Sequence, residues 1–345
     1  MCQRGIFAFF VQMISKKEKN GISVVIPNYN GTTLLVEVLN SLYESLIAST
    51  LAYEIIICDD CSTDNSVELI KNNYPEIKLI VNEANAGFSP TINKGIQVAQ
   101  YDLVFLLNSD LKITKDYFKP LLRYFEREDT FGVMGRIINW DDDDIQDGAQ
   151  YPSFHGVKIK TRGNYIPNNP IQNDWLYSMY LSGANALVDR QKLIALGGFN
   201  EIYAPFYVED YDLSLRAWRA GWKCYYEHFS ICRHKVSATI KSNSSKNYIK
   251  TIYYRNKMFL HYIHLNAVEL VLWYIQLIPE LIFSLLTGKL FIFKSLQLFL
   301  SNIKKAQESK KSLQLFLAKS DNPKSLKQVC TIILKSIQEK SITKF

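Results

Sequence analysis

Two phosphate-binding signatures are missing from this 345-residue chain. No G-x-G-x-x-G follows its first apolar strand, and no G-x-x-x-x-G-K-[ST] occurs, so neither a dinucleotide-binding dehydrogenase nor a P-loop enzyme is supported. Cysteine is scattered rather than dense: Cys2, Cys58, Cys61, Cys224, Cys232 and Cys330 build no disulfide framework, which points to a reducing compartment. Cys58 and Cys61 form a C-x-x-C, but with no second Cys or His pair at metal spacing and with two acids between them at a strand end. Free structural thiols are the expectation. The apolar stretch 5–14, followed by Lys16, Lys17 and Lys19, is shorter than the roughly 20 residues that span a bilayer, and no small-residue cleavage site follows it. Residues 1–20 read as an N-terminal extension. No zinc-finger or RRM signature is present either, and nucleic acid is not an expected partner.

The composition supplies ample core material. At 48% hydrophobic and 13% aromatic, the chain can form one large domain with an appendage, or two modest ones. Its net charge of +7 is unevenly spread: residues 241–345 hold 17 Lys/Arg and 5 Asp/Glu, or +12, which leaves −5 for the first 240. A basic tail with long apolar runs suits anionic phospholipid head groups.

From Gly21 onward, short β-branched apolar runs alternate with helical periodicity. Strands are expected at 22–26, 55–57, 77–81 and 103–107, and helices at 31–48, 63–73 and 88–99. Continuously apolar strands alternating with amphipathic helices imply a mostly parallel sheet covered on both faces, and ligands in such sheets bind beyond the strands' carboxyl ends. The stretch 132–174 reads as irregular, with short strands around 133–138 and 157–160. A strand is expected at 181–187, and helices at 190–196 and 210–220, the domain closing near Ser237. The run 268–286 approaches span length but holds Glu269, Gln276, Pro279 and Glu280. An interfacial helical hairpin, a helical subdomain packed on the core, and a true span all stay open.

Acidic groups gather at the strand ends. Asp59 and Asp60 emerge from a buried strand, where carboxylates can accept hydrogen bonds from a base N–H and ribose hydroxyls while Tyr29 stacks on the base. Asp110, in Asn108-Ser109-Asp110, is a hard oxygen donor suited to Mg²⁺ or Mn²⁺ facing a diphosphate. Glu209-Asp210 starts a helix, where Asp210 is either a cap or a general base.

Six ordered motifs together resemble a known family. They are 23–31 (SVVIPNYNG), 57–66 (ICDDCSTDNS), 85–88 (NAGF), 108–110 (NSD), 197–201 (GGFNE) and 209–213 (EDYDL). Over residues 21–240 the chain resembles a family 2 glycosyltransferase of the GT-A fold. The resemblance implies an inverting enzyme using a nucleoside-diphosphate sugar. Tyr29 and Asp60 hold the base, Asp59 supports the nucleotide pocket, Asp110 binds metal and diphosphate, and Asp210 is the catalytic base. Pro27, Asn30, Gly87, Lys94, Asn108, Ser109 and Glu209 complete the nucleotide-sugar pocket on this resemblance, and His234 approaches the metal. Asn108 departs from the Asp found in many members, which puts strict metal dependence in doubt. That triplet and Arg255-Asn256 are similar to those of rhamnosyltransferase-like and other cell-surface polysaccharide enzymes. The implied enzyme is cytoplasmic, peripheral on the inner membrane face, with a lipid-linked or polysaccharide acceptor and residues 241–345 as a basic, aromatic helical region. A polyprenyl-phosphate sugar synthase and a non-catalytic nucleotide-sugar-binding protein are the alternatives.

Overall fold

A computed structural model describes residues 20–171, 174–235 and 245–345. The expected N-terminal extension, Cys2 and the expected close near Ser237 lie outside the described residues. The first half follows the anticipated alternation: β1 (Gly21–Asn28), α1 (Thr32–Ser49), β2 (Ala52–Asp59), α2 (Ser66–Asn73), β3 (Lys78–Val81), α3 (Phe88–Val98) and β4 (Leu103–Leu107). Then come β5 (Leu111–Ile113), α4 (Lys119–Leu122), β6 (Thr130–Asn139), β7 (Ile145–Asp147), β8 (Ala149–His155), β9 (Lys158–Pro167) and β10 (Leu176–Tyr177). β11 (Asn185–Asp189), α5 (Arg190–Ala195), α6 (Glu209–Arg219) and β12 (Lys223–His234) close the sheet region.

The main sheet runs β10-β12-β6-β11-β4-β1-β2-β3, with β5 added on β12 and β7 on β6. β1 pairs in parallel with both β2 and β4, and β2 with β3, so their carboxyl ends share one edge. β11 runs antiparallel to β4 and β6 and interrupts that series. The fold is the expected α/β arrangement, a mostly parallel central sheet covered by helices on both faces. α1 and α4 pack on one face with Val24, Ile26, Ile57 and Phe105. α3 and α6 cover the other. Gly95 lets α3 sit close: a Cβ there would stand 2.4 Å from Val25 Cγ1 and 2.8 Å from Cys58 Sγ. Cys58 is thus core filling, and burial pushes its thiol up to about 12. All five described cysteines are free, as the spacing predicts.

The stretch 132–174 departs from expectation. It is largely extended, and β8 and β9 pair antiparallel as the centre of a second, three-stranded sheet completed by β13 (Ile342–Lys344) from the far end of the chain. Gly148, Pro152, Gly156 and Gly163 disguise these strands in the sequence, because such residues punctuate loops more often than strands. A partner almost 180 residues away supplies the pairing that local propensity does not.

Among the described residues, five helices fill the C-terminal region: α7 (Lys246–His264), α8 (Ala267–Leu286), α9 (Phe291–Ser301), α10 (Ile303–Ala318) and α11 (Leu326–Gln338). Their buried residues Phe259, Leu260, Ile263, Trp273, Phe299, Val329 and Ile333 join Met179, Tyr211 and Trp218 in one continuous core. α8 is the one helix among the described residues long and apolar enough to cross a membrane. Only Trp273, Leu277 and Ser284 of it are buried. Its polar residues face protein: Gln276 Nε2 donates to the His155 carbonyl at 3.0 Å, Glu280 pairs with Lys158, and Glu269 closes a capping box with Asn266.

Removal of residues 246–345 strips the cover from Tyr211 and Trp218 and the edge partner from β9. The truncated chain is expected to lose its cooperative thermal transition by circular dichroism. An unchanged midpoint would mean that the helices are a detachable appendage.

Candidate active site

The edge formed by β1, β2 and β4 opens into a cavity of about 960 Å³. Its first wall is built from adjacent acids with different tasks. Asp59 is fully buried and accepts from Asn28 Nδ2 (2.8 Å), Ser62 N (2.8 Å) and Ser62 Oγ (2.6 Å), which folds the turn after β2 onto β1. Asn30, at φ 53°, ties the same turn: its Oδ1 accepts from Thr63 N at 2.8 Å and Asp64 N at 3.3 Å. Asp60 reaches the cavity. Its Oδ1 accepts from Asn82 Nδ2 (2.7 Å) and Ala86 N (2.8 Å), and its Oδ2 from Gly87 N (2.9 Å). Lys94 acts one step back, donating to Asn82 Oδ1 at 2.6 Å.

Gly87 is required twice over. Its φ is +87°, and a Cβ would lie 2.6 Å from Pro205 Cα, so only glycine lets this loop pass the 204–208 turn. The Phe88 N–H donates to the Pro205 carbonyl there at 2.8 Å.

At the end of β4, Asn108 and Asp110 each leave Oδ1 buried with no hydrogen-bond partner. Asp110 Oδ2 faces His234 Nε2 at 3.6 Å. The imidazole is oriented from behind. Gln146 spends its Nε2 on Asn139 Oδ1 (2.6 Å) and the His234 carbonyl (3.1 Å), so its Oε1 accepts from His234 Nδ1 at 2.8 Å. The Nε2 lone pair is then turned toward Asp110, the arrangement of a metal-ligating histidine with its supporting acceptor. Among the described residues no group of three or more His, Cys, Asp or Glu side chains is placed to hold a metal. Asp110 and His234 therefore fit a cation that takes its remaining ligands from phosphate and water.

The third acidic pair sits on a strained support. Tyr207 (φ 74°) and Val208 (φ 77°) both occupy the left-handed region, which a β-branched residue rarely enters. One side chain holds them there. Asn256 Nδ2, from α7, donates to the carbonyls of Tyr203 (2.7 Å), Phe206 (2.9 Å) and Tyr207 (2.8 Å), while Arg255 donates to the Ala204 carbonyl at 2.5 Å. The turn delivers Glu209 and Asp210 to the start of α6. Burial raises the Glu209 carboxyl strongly, with Asp210 adding to it, and Glu209 Oε2 is buried without a partner. Burial also pushes Asp210 up to about 6, opposed by N–H groups of Tyr211 and Gly183. Burial thus holds both carboxyls of the pair above the ordinary carboxylate range, and the two titrate together.

β7, β8 and β9 supply the remaining wall with residues that local patterning does not pick out. Asp147 accepts from Gly148 N (2.9 Å) and Gln150 Nε2 (2.6 Å) on Oδ1, and burial pushes its carboxyl up to about 7, with the Asp210 charge adding to the rise. Gln150 and Arg162 line the same cavity. Of the residues singled out from sequence, Pro27, Tyr29, Asp60, Gly87, Asn108, Ser109, Asp110 and His234 line it, whereas Asn30, Asp59, Lys94, Glu209 and Asp210 stand behind. Asp210 keeps partial exposure beside the lining residues Tyr180 and Tyr207. Asn256 had a signal in the Arg-Asn pair; Asp147 and Arg162 had none.

Residues 23–197 match the family described as glycosyl transferase family 2. The chain is 27% identical over 227 residues to the N-acetylglucosaminyl-diphospho-decaprenol L-rhamnosyltransferase of Mycobacterium tuberculosis, covering 58% of this chain and 72% of that one. It is 26% identical over 238 residues to the putative teichuronic acid biosynthesis glycosyltransferase TuaG of Bacillus subtilis, covering 63% and 91%. Among solved structures, GalNAc-T7 with UDP, GalNAc and Mn²⁺ aligns with a TM-score of 0.63 at 17% identity over 94% of this chain, which spans 58% of that one. That likeness is one of fold.

Replacing Asn256 with Ala leaves the Phe206 and Tyr207 carbonyls of a strained turn without their donor and the Tyr203 carbonyl with only the 3.4 Å bond from Arg255. Asn256→Ala is expected to lower unfolding free energy by about 2 kcal/mol in urea titration. A loss below a few tenths would show that the turn holds itself.

Proposed function

Because the chain belongs to glycosyl transferase family 2, we propose that it is an inverting transferase moving a hexosyl or deoxyhexosyl group from a nucleoside-diphosphate sugar to a hydroxyl of a lipid-linked or polysaccharide acceptor. One observation carries this reading: Asp110, with an orphaned oxygen beside His234, lines the cavity, and Asp210 stands partly exposed behind the lining residue Tyr180, although the two come from a strand end and a helix start far apart in sequence. The names of the two relatives above, a rhamnosyltransferase for a diphospho-decaprenol-linked sugar and a putative teichuronic acid biosynthesis glycosyltransferase, support a lipid-linked or polysaccharide acceptor.

In this reading Tyr29 stacks on the base, and Asp60 with the 85–88 loop closes the nucleotide end. Asp210 takes the proton of the acceptor hydroxyl. The oxygen then attacks the anomeric carbon as its bond to the diphosphate breaks, and the configuration inverts. Asp110 and His234 would hold Mg²⁺ or Mn²⁺, whose charge neutralises the leaving diphosphate when bound. Asn108 adds an uncharged acceptor beside them.

The exposed face of α8 supports contact with the membrane. Val268, Val271, Ile275, Ile278 and Ile282 are 55–71% exposed and follow helical spacing along one stripe. Apolar stripes of this extent mark interaction surfaces, and Lys289 and Lys294 follow at its end, as an anionic bilayer interface favours. We assign the enzyme to the cytoplasmic side of that bilayer, with residues 21–240 as the catalytic unit and 241–345 facing the acceptor.

Three measurements test this. Asp210→Asn is expected to cut turnover on an accepted donor 100-fold or more while nucleoside diphosphate affinity stays within twofold. Retained turnover would point instead to a phosphate acceptor needing no base. In the wild type, kcat/KM is expected to fall about tenfold per pH unit below about 6, where Asp210 becomes protonated. For the membrane, Ile275→Glu with Ile278→Glu is expected to keep the protein folded yet abolish its flotation with vesicles containing phosphatidylglycerol; equal flotation would refute the assignment.

A further inference from the structure

The cavity is lined by acids, yet it has one cationic side chain of the Lys/Arg type, Arg162. A β-bulge presents it. Tyr151 pairs with Gly163 and Pro152 with Thr161, so Arg162 has no partner position in the ladder, and such bulges re-aim side chains beside sites. Its side chain is exposed and has no carboxylate or hydrogen-bond partner among the described residues. Two positions back along β9 is Lys160, and Lys257 of α7 lies close enough to the same strand that both add to burial in depressing the ammonium of Lys158. Lys158 is neutralised by Glu280 of α8, whereas Lys160 and Lys257 have no ion pair among the described residues. Two cations without an ion pair among the described residues thus stand on β9, Arg162 at the cavity, and a third stands on the neighbouring α7. The same hairpin holds α8, through Glu280 and through Gln276, with its apolar stripe outward.

We propose that Arg162, Lys160 and Lys257 form a diphosphate-binding track for the acceptor, whose sugar enters the cavity and whose apolar chain lies along α8. The acceptor class is therefore a prenyl-diphosphate-linked glycan. This rests on the transferase reading above and adds the residues that hold the acceptor. The planar guanidinium matches two phosphate oxygens, and the two ammonium groups supply point charges for the rest. The donor also carries a diphosphate. Its expected place is beside Asp110 and His234, at the end of β4 in the other sheet, so the two diphosphates have separate cradles.

The full chain is titrated calorimetrically with geranyl diphosphate, with geraniol, and with UDP, dTDP and GDP in the presence of Mn²⁺. Arg162→Ala, and separately Lys160→Ala with Lys257→Ala, are expected to weaken geranyl diphosphate about tenfold or more, with Arg162→Lys intermediate. Affinity for whichever nucleoside diphosphate binds is expected to change less than twofold, and the melting temperature to hold. Unchanged geranyl diphosphate binding in the variants overturns the proposal, as does geraniol binding equally well. A loss confined to the nucleoside diphosphates overturns it too, by assigning Arg162 to the donor. If the wild type binds no nucleoside diphosphate while the geranyl diphosphate arm behaves as expected, the transferase reading fails and the track stands.

Discussion

Three hydrogen bonds from the amide of Asn256 hold the turn on which the candidate active site depends. Two consecutive non-glycine residues in the left-handed region cost on the order of 1–3 kcal/mol each, so Tyr207 and Val208 need an external constraint. The constraint comes from a helix some 50 residues downstream. A buried network keeps that helix in place: Asp212 accepts from Tyr203 Oη (3.0 Å), Arg216 Nε (2.7 Å) and His264 Nε2 (2.9 Å), joining α6 to α7. Arg216 holds Asp212 down to about 2, against the pull of burial, so the carboxylate stays charged. The C-terminal region is in this sense part of the candidate site, because Glu209 and Asp210 begin the helix that the network anchors.

The same turn touches the nucleotide side. Pro205 receives the Phe88 N–H and crowds Gly87, and Gly87 in turn donates to Asp60. A chain of short contacts therefore runs from Asn256 through the 204–208 turn to the carboxylate proposed to face the base. Within this frame the unsatisfied atoms are informative. Buried polar groups are nearly always paired, yet Asn108 Oδ1, Asp110 Oδ1 and Glu209 Oε2 are not. The first two lie where a cation and diphosphate are proposed. The third belongs to the acid whose pKa burial and the Asp210 charge push up.

Legibility from sequence followed locality. β1 to β4 and their helices were readable because each is a continuous apolar run or an amphipathic repeat, and the acids at their ends stood out against buried strands. The motif order pointed to the family and the fold. Asp59 and Asp60 could not be told apart in sequence, since one carboxylate faces inward to Ser62 and the other outward only once the turn is folded. The second sheet was missed because its strands carry Gly and Pro and gain their edge partner from residues 342–344. Asp147 and Arg162 were missed with it. Asp210 remained ambiguous because a helix cap and a base look alike until the strained turn and buried Glu209 are seen beside it.

In sequence the polar residues of α8 argue against a true span, and the structure adds what they do. Gln276 and Glu280 point to His155 and Lys158 of the β8–β9 hairpin, so they fix which face of α8 is left apolar and outward. The hairpin is also the strand pair that carries Arg162 into the cavity wall. The outward apolar face of α8 and the Arg162 wall of the cavity are consequently set by one element. The proposed acceptor, with its sugar, diphosphate and apolar chain, would meet that element in the order that it presents cavity rim, cations and helix. The spacing between the cavity wall and the apolar face of α8 is then a property of β8 and β9, at about 3.3 Å per residue, rather than of a flexible linker.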